Sequence, residues 1–122
     1  MSDSLELAQL AASVINENKA ENLVILDVRE QLWFTDYFIL ATGQSRPHIK
    51  FLQQELKKRL GAEKEREPSL SEGNADEGWL LVDYGDIIVH IFSESQREYY
   101  DLEGLWADAD QIPIEQLREK QH

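Results

Sequence analysis

The sequence predicts an α/β (α+β) domain, a mixed β-sheet flanked by helices, and three observations carry that reading. Two apolar runs bracket Asp83-Tyr84-Gly85-Asp86 within WLLVDYGDIIVHIF at 79–92, as in a β-hairpin whose Gly85 supplies the positive φ of a tight reversal. Two compact runs of strand formers precede it, LVILDV at 23–28 and YFILAT at 37–42. Apolar residues also recur at helical spacing in two segments, one near the N-terminus and one after Ser45.

Taken in chain order, Asp3 followed by Glu6 marks a helix start, and Leu7, Leu10, Ala11, Val14 and Ile15 form an amphipathic stripe that predicts a helix to about Lys19. The two strands follow, the second ended by Gly43. Ser45 as N-cap, Pro47 in the first turn and the stripe Ile49, Leu52, Leu56 and Leu60 predict the next helix, with Gly61 as its stop. A short charged edge strand is expected over 62–66 and a polar, mobile loop over 68–78. In the second hairpin strand Ile87, Val89 and Ile91 alternate with Ile88, His90 and Phe92, so a histidine shares an apolar face. Tyr99, Tyr100, Leu102, Leu105 and Trp106 place a short helix or two helical turns between Ser95 and about Ala109. The order is α-β-β-α-β-β-β-α, one domain over 1–122 with residues 110–122 a polar C-terminal tail in which a small helix can follow Ile112-Pro113-Ile114.

Composition narrows the function. A chain of 122 residues with 42% apolar content supports one core without staples. It has no cysteine, which excludes a disulfide framework, thiolate metal sites and thiol catalysis. Neither a leader-like N-terminus nor an apolar run near the ~20 residues of a membrane span is present, so the expectation is a soluble, cytoplasmic protein. The net charge is −12, and it is segregated: Arg46 to Arg66 holds seven of the twelve basic residues, whereas Glu67 to the end holds fourteen acidic against three basic. The acidic half disfavours nucleic-acid phosphates and suits a basic partner.

The chemistry-bearing residues point away from catalysis. Gly43-Gln44-Ser45 at a strand-to-helix turn resembles a phosphate cradle only weakly, because it lacks the glycine spacing of a nucleotide motif and Ser45 is explained as a cap. Asp36, Asp83 and Asp86 are candidates for a carboxylate cluster, but no pair sits one residue apart on a strand edge, and Asp83 and Asp86 suit the turn better. His90 has no second histidine at ligand spacing and reads as a hydrogen-bonded core residue. No cofactor and no metal are expected. Trp79, Tyr84, Tyr100 and Trp106 are numerous large aromatics of the kind that anchor protein interfaces.

Three stretches in order, TDYFILATGQS at 35–45, EGWLLVDYGDIIVHIF at 77–92 and REYYDLEGLW at 97–106, resemble the ribosomal silencing factors, also called the Iojap-related proteins, over about residues 5–109. The resemblance implies a nucleotidyltransferase-like core without catalytic carboxylates and a non-enzymatic translational repressor. Such a repressor docks on the large ribosomal subunit against the ribosomal protein numbered fourteen and blocks subunit joining when nutrients run short. The sequence departs from the family in VREQLWF at 28–34, where Trp33-Phe34 looks exposed, and in the acidic tail.

The candidate partner-binding residues are therefore Trp79, Asp83, Tyr84, Asp86, Tyr100, Glu103 and Trp106, with His90 and Arg97 as structural support holding the hairpin and following helix in register. The expected partners are the large subunit and, off it, a second copy of the chain; no membrane and no sequence-specific nucleic-acid contact are expected. Two alternatives remain: a metal-dependent nucleotidyltransferase using Asp36, Asp83 and Asp86 with Gly43 to Ser45, and a large-subunit assembly factor without repression.

Overall fold

A computed structural model describes residues 3–113. The chain order is α1 (Asp3–Glu17), β1 (Glu21–Asp27), β2 (Tyr37–Thr42), α2 (Arg46–Lys64), β3 (Leu70–Asn74), a 3₁₀ turn (Ala75–Glu77), β4 (Trp79–Asp83), β5 (Ile87–Phe92), α3 (Glu94–Tyr100), α4 (Leu102–Leu105) and β6 (Asp110–Ile112). The strands form one six-stranded sheet in the order β3-β4-β5-β2-β1-β6. It is mixed as predicted: β2 and β5 run parallel, with Leu40 beside His90, and the other neighbours are antiparallel.

Alternation along the central strands builds two unlike faces. Ile25, Ile39, Ala41, Val82, Ile87, Val89 and Ile91 turn toward α1 and α2 and join Leu7, Ala11, Ile15, Ile49, Leu52, Leu56 and Leu60 in the main core. Leu26, Phe38, Leu40 and Ile88 turn the other way, where Leu102, Trp106 and Ala109 of the α4 segment cover part of the sheet. Among the described residues the helix-covered face is closed and the second is only partly covered.

Four expectations change. Helix α2 runs through Gly61 to Lys64, so there is no strand at 62–66: an interior glycine costs only about 1 kcal/mol, and the Arg59–Glu63 pair one turn apart spans it. Its stop is Glu65, in the left-handed region at φ 54°, whose N–H returns to the Leu60 carbonyl. The loop expected at 68–78 is β3 and the 3₁₀ turn; β3 is wholly exposed and held by backbone pairing to β4, so no apolar alternation announces it. Residues 110–112 of the expected tail pair with β1 as β6, while the helix expected beyond Pro113 lies outside the described residues.

Candidate functional site

The partly covered face carries a ladder of rings. Trp106 meets Phe38 edge-on at 5.8 Å, Phe38 meets His90 edge-on at 5.0 Å, and His90 stacks on Phe92 at 6.0 Å with an interplanar angle of 9°. Phe92 in turn contacts Tyr100 at 5.9 Å, and Tyr100 meets Tyr99 edge-on at 5.1 Å. The ladder rises from a buried floor to exposed rings, with Tyr100 51% and Tyr99 79% exposed. Centroid separations of this size are those of favourable aromatic pairs. On the open side, Trp79 lies opposite Phe92 and Leu81 opposite His90 in the β4–β5 register, both half-buried, with exposed Leu70 of β3 beyond.

Alternation explains which predicted residues arrive here. Trp79, Leu81 and Asp83 share parity and face the ladder, whereas Leu80, Val82 and Tyr84 share the opposite parity. Tyr84 is therefore a core residue on the helix-covered face, 4% exposed, and is not available as an anchor. Its hydroxyl has no hydrogen-bond partner among the described residues, and burial pushes the phenol up to about 12, with the Glu67 charge adding to the shift. The same parity pointed to Leu81, which the sequence reading passed over.

Asp86 is also committed internally. Arg66, just past the end of α2, donates to the Asp86 carboxylate at 2.7 Å and to the Tyr84 carbonyl at 2.7 Å, clamping the hairpin turn to the helix layer. Asp83 accepts the Gly85 N–H at 2.7 Å, and Gly85 takes φ 90° as expected. Asp36 donates its own N–H to the Asp86 carbonyl. Among the described residues no group of three or more His, Asp or Glu is placed to hold a metal ion. Asp83 and Asp86 are thus arranged as turn and clamp.

The two support residues behave differently. Arg97 donates to Glu103 at 2.9 Å and to the Thr42 hydroxyl at 3.0 Å, joining α3 to α4 and the end of β2 rather than to the hairpin. Glu94, Glu98, Asp101 and Glu103 line the adjoining cleft, so the rim beside the ladder is acidic around one paired cation. His90 is 8% exposed but neither ring nitrogen has a hydrogen-bond partner among the described residues, so it is not the hydrogen-bonded histidine that was expected. Desolvation lowers its pKa to about 4, and the ring is neutral at physiological pH.

At the Gly43-Gln44-Ser45 turn the backbone is already occupied. Ser45 Oγ accepts the His48 N–H, and His48 Nδ1 accepts the Gln44 N–H at 2.9 Å while its Nε2 lies 2.8 Å from the Asn18 carbonyl. Gly43 permits close approach, since a Cβ there would stand 2.5 Å from Ile49 Cγ1. The adjoining cleft is lined by Glu21, Asp76, Glu77 and Glu94 against one cation, Arg46, a poor setting for a phosphate. Trp33 stands 94% exposed in the β1–β2 connection, edge-on to Phe34 at 5.6 Å.

The family model for "Ribosomal silencing factor during starvation" matches residues 1–122. The chain belongs to the ribosomal silencing factor family. It is 36% identical over 110 residues to ribosomal silencing factor RsfS of Halalkalibacterium halodurans, covering 90% of this chain and 93% of that one. It is 33% identical over 103 residues to RsfS of Bacillus subtilis, covering 84% and 86%. A crystal structure of a Chromobacterium violaceum protein superposes with a TM-score of 0.81 at 31% identity, covering 87% of this chain and 88% of that one. Membership makes a ribosome-associated regulator or assembly factor the coarse reading of this chain. Among the described residues no helix is long and apolar enough to cross a membrane.

Proposed function

We propose that this protein docks on the large ribosomal subunit through the partly covered sheet face, against ribosomal protein fourteen, and sterically prevents the small subunit from joining. One observation carries the proposal: the aromatic ladder from Trp106 to Tyr99 leaves exposed rings and half-buried Trp79 and Leu81 beside an acidic rim. Apolar rings with a charged border are the makeup of an interface whose centre supplies affinity and whose rim steers a basic partner. Exclusion of one subunit by a bound body of 14.1 kDa requires no catalytic step. In this scheme Trp79, Leu81 and Tyr100 anchor, Trp106 completes the wall through Phe38, and Arg97 with Glu103 positions α3 against the sheet. Away from the ribosome the same face is available to a second copy of the chain.

A second reading has its own support. A mouse protein named "Mitochondrial assembly of ribosomal large subunit protein 1" is 30% identical over 99 residues, spanning 80% of this chain and 43% of that protein. Assembly without repression would use the same docking face. Sedimentation with isolated subunits, followed by a joining assay, separates the readings. Silencing requires binding to large subunits, little to small ones, and a reduced yield of joined ribosomes. Unchanged joining at saturating protein would leave assembly, and equal binding to both subunits would overturn the docking proposal.

A further inference from the structure

The β1–β2 connection displays two large apolar rings that the core does not use. Its base is closed by backbone hydrogen bonds: the Val28 N–H donates to the Asp36 carbonyl at 3.0 Å, and the Leu32 N–H to the Val28 carbonyl at 2.9 Å. Val28 and Thr35 are buried, and Leu32 packs with Val28 into the apolar cluster beneath the open sheet face. Between Leu32 and Thr35, Trp33 and Phe34 stand 94% and 50% exposed, edge-on to each other. Apolar side chains exposed singly are ordinary on a protein surface, but a tryptophan beside a phenylalanine on a braced loop forms a contact patch.

The charges around the loop define the partner's chemistry. The cleft at the same connection is lined by Asp27, Glu30, Asp108 and Asp110 against one cation, Arg29. Arg29 is already engaged, paired with Asp27 at 2.7 Å and lying over the Tyr37 ring. Asp36 at the foot of the loop, Glu30, Asp108 and Asp110 form no ion pair with any described residue. Of the nearer cations outside the cleft, Arg66 at the neighbouring hairpin turn pairs with Asp86, and Lys64 pairs with Glu6. The cations without an ion pair to a described residue lie elsewhere: Lys19 at the far end of β1, and Arg46, Lys50, Lys57 and Lys58 on α2, which packs on α1, β4 and β5. Phosphates are therefore repelled from this corner, and a second copy presenting the same corner would set carboxylates against carboxylates. A lysine or arginine side chain is attracted, and the open face of a tryptophan ring suits it.

We propose that Trp33 and Phe34 anchor a cationic protein segment of the large subunit, extending the docking surface from the open face onto the β1–β2 connection. The inference rests on the docking reading above. Leu32 makes the extension continuous, because it belongs to the same apolar cluster as Phe38, Ile88 and Trp106. A Lys or Arg side chain of the partner lies on the Trp33 ring, and Glu30, Asp108 and Asp110 hold the flanking charges. A ring 94% exposed in the free protein contributes little to folding, so binding and stability separate at this position.

Sedimentation with purified large subunits should be compared for the native protein, Trp33→Ala, Trp33→Phe and Trp79→Ala. Trp33→Ala should keep the native Tm and weaken binding about tenfold, with Trp33→Phe retaining most of the affinity. Glu30→Lys with Asp108→Lys should also weaken binding and flatten its dependence on salt. The absence of cysteine makes a single introduced thiol unique, so a benzophenone attached at exposed Gln31→Cys reports what lies beside the rings. On irradiation it should join a ribosomal protein at a segment rich in lysine and arginine. Native affinity in Trp33→Ala, with binding lost in Trp79→Ala, overturns the inference while leaving the docking reading intact. Adducts confined to ribosomal RNA overturn it in favour of base stacking, and adducts at an acidic protein segment overturn it outright. A dimer of the free protein abolished by Trp33→Ala, with subunit binding untouched, assigns the rings to a second copy instead. Failure of the native protein to sediment with large subunits removes the docking reading and this inference with it.

Discussion

The two faces of one sheet have different fates in this chain. On the helix-covered face β1, β2, β4 and β5 contribute buried aliphatic side chains to α1 and α2, and α2 alone brings Ile49, Leu52, Leu56 and Leu60. On the other face β2, β4 and β5 present rings, among them a histidine with no hydrogen-bond partner among the described residues, and the covering elements α3 and α4 are seven and four residues long with no fully buried residue. The first face is organised for stability. The second retains half-buried aromatics and an unsatisfied polar group, features that a protein optimised only for folding would remove.

The comparison is sharpened first by Leu52→Ala. Leu52 has no exposure and sits between α2 and the sheet, so its truncation should cost about 3 kcal/mol, read as a fall in the urea midpoint at unchanged slope. The folded fraction should bind large subunits normally. A loss of binding larger than the loss of folded protein would show that the helix-covered face also contributes to docking.

His90 gives the open face a pH signature. The folded protein holds this imidazole neutral down to about pH 4, whereas the unfolded chain takes up a proton below about 6.5. Stability is therefore fully present above about pH 6.5 and declines as pH falls toward 4, by about 3 kcal/mol in total, levelling below that. Asp27, whose carboxylate Arg29 holds below its ordinary range through a side-chain hydrogen bond, acts at lower pH and does not share the window. Replacing His90 by Phe should remove one proton's worth of pH dependence from denaturation curves between pH 6.5 and 4. An unchanged slope would mean that water or a shifted ring satisfies the imidazole.

Tyr84 offers a smaller effect of opposite sign. Deleting a buried hydroxyl without a partner in Tyr84→Phe should leave stability unchanged or raise it by up to about 1 kcal/mol, measured as a small rise in Tm. A clear loss would reveal a partner for that hydroxyl.

What was legible in the sequence follows the same division. β2 and the β4–β5 hairpin coincide with their apolar runs, and α2 begins where Ser45 and Pro47 place it, because hydrophobic pattern and local turn chemistry agree there. β3 and β6 were illegible because edge strands without buried side chains are specified by their neighbours' hydrogen bonds. The Arg66–Asp86 clamp joins residues 20 apart in sequence through space, which residue types do not reveal. Tyr84 is one large aromatic among several by residue type, and its parity with Leu80 and Val82 assigns it to the core. His90 was placed on the right face by alternation, but its missing partner is a property of the packing around it.

If docking belongs to the open face, Trp79 is the residue whose loss shows it. Sedimentation with purified large subunits should be compared for the native protein, Trp79→Ala and Tyr84→Phe, each first shown to be folded by its melting curve. Both residues were candidate anchors in the sequence, and the structure assigns them to opposite faces of β4 and its following turn. Trp79→Ala should weaken binding by about 2 kcal/mol or more, roughly thirtyfold, while Tyr84→Phe binds like the native protein. Native-like binding by folded Trp79→Ala, or a selective loss in Tyr84→Phe, would contradict the assignment.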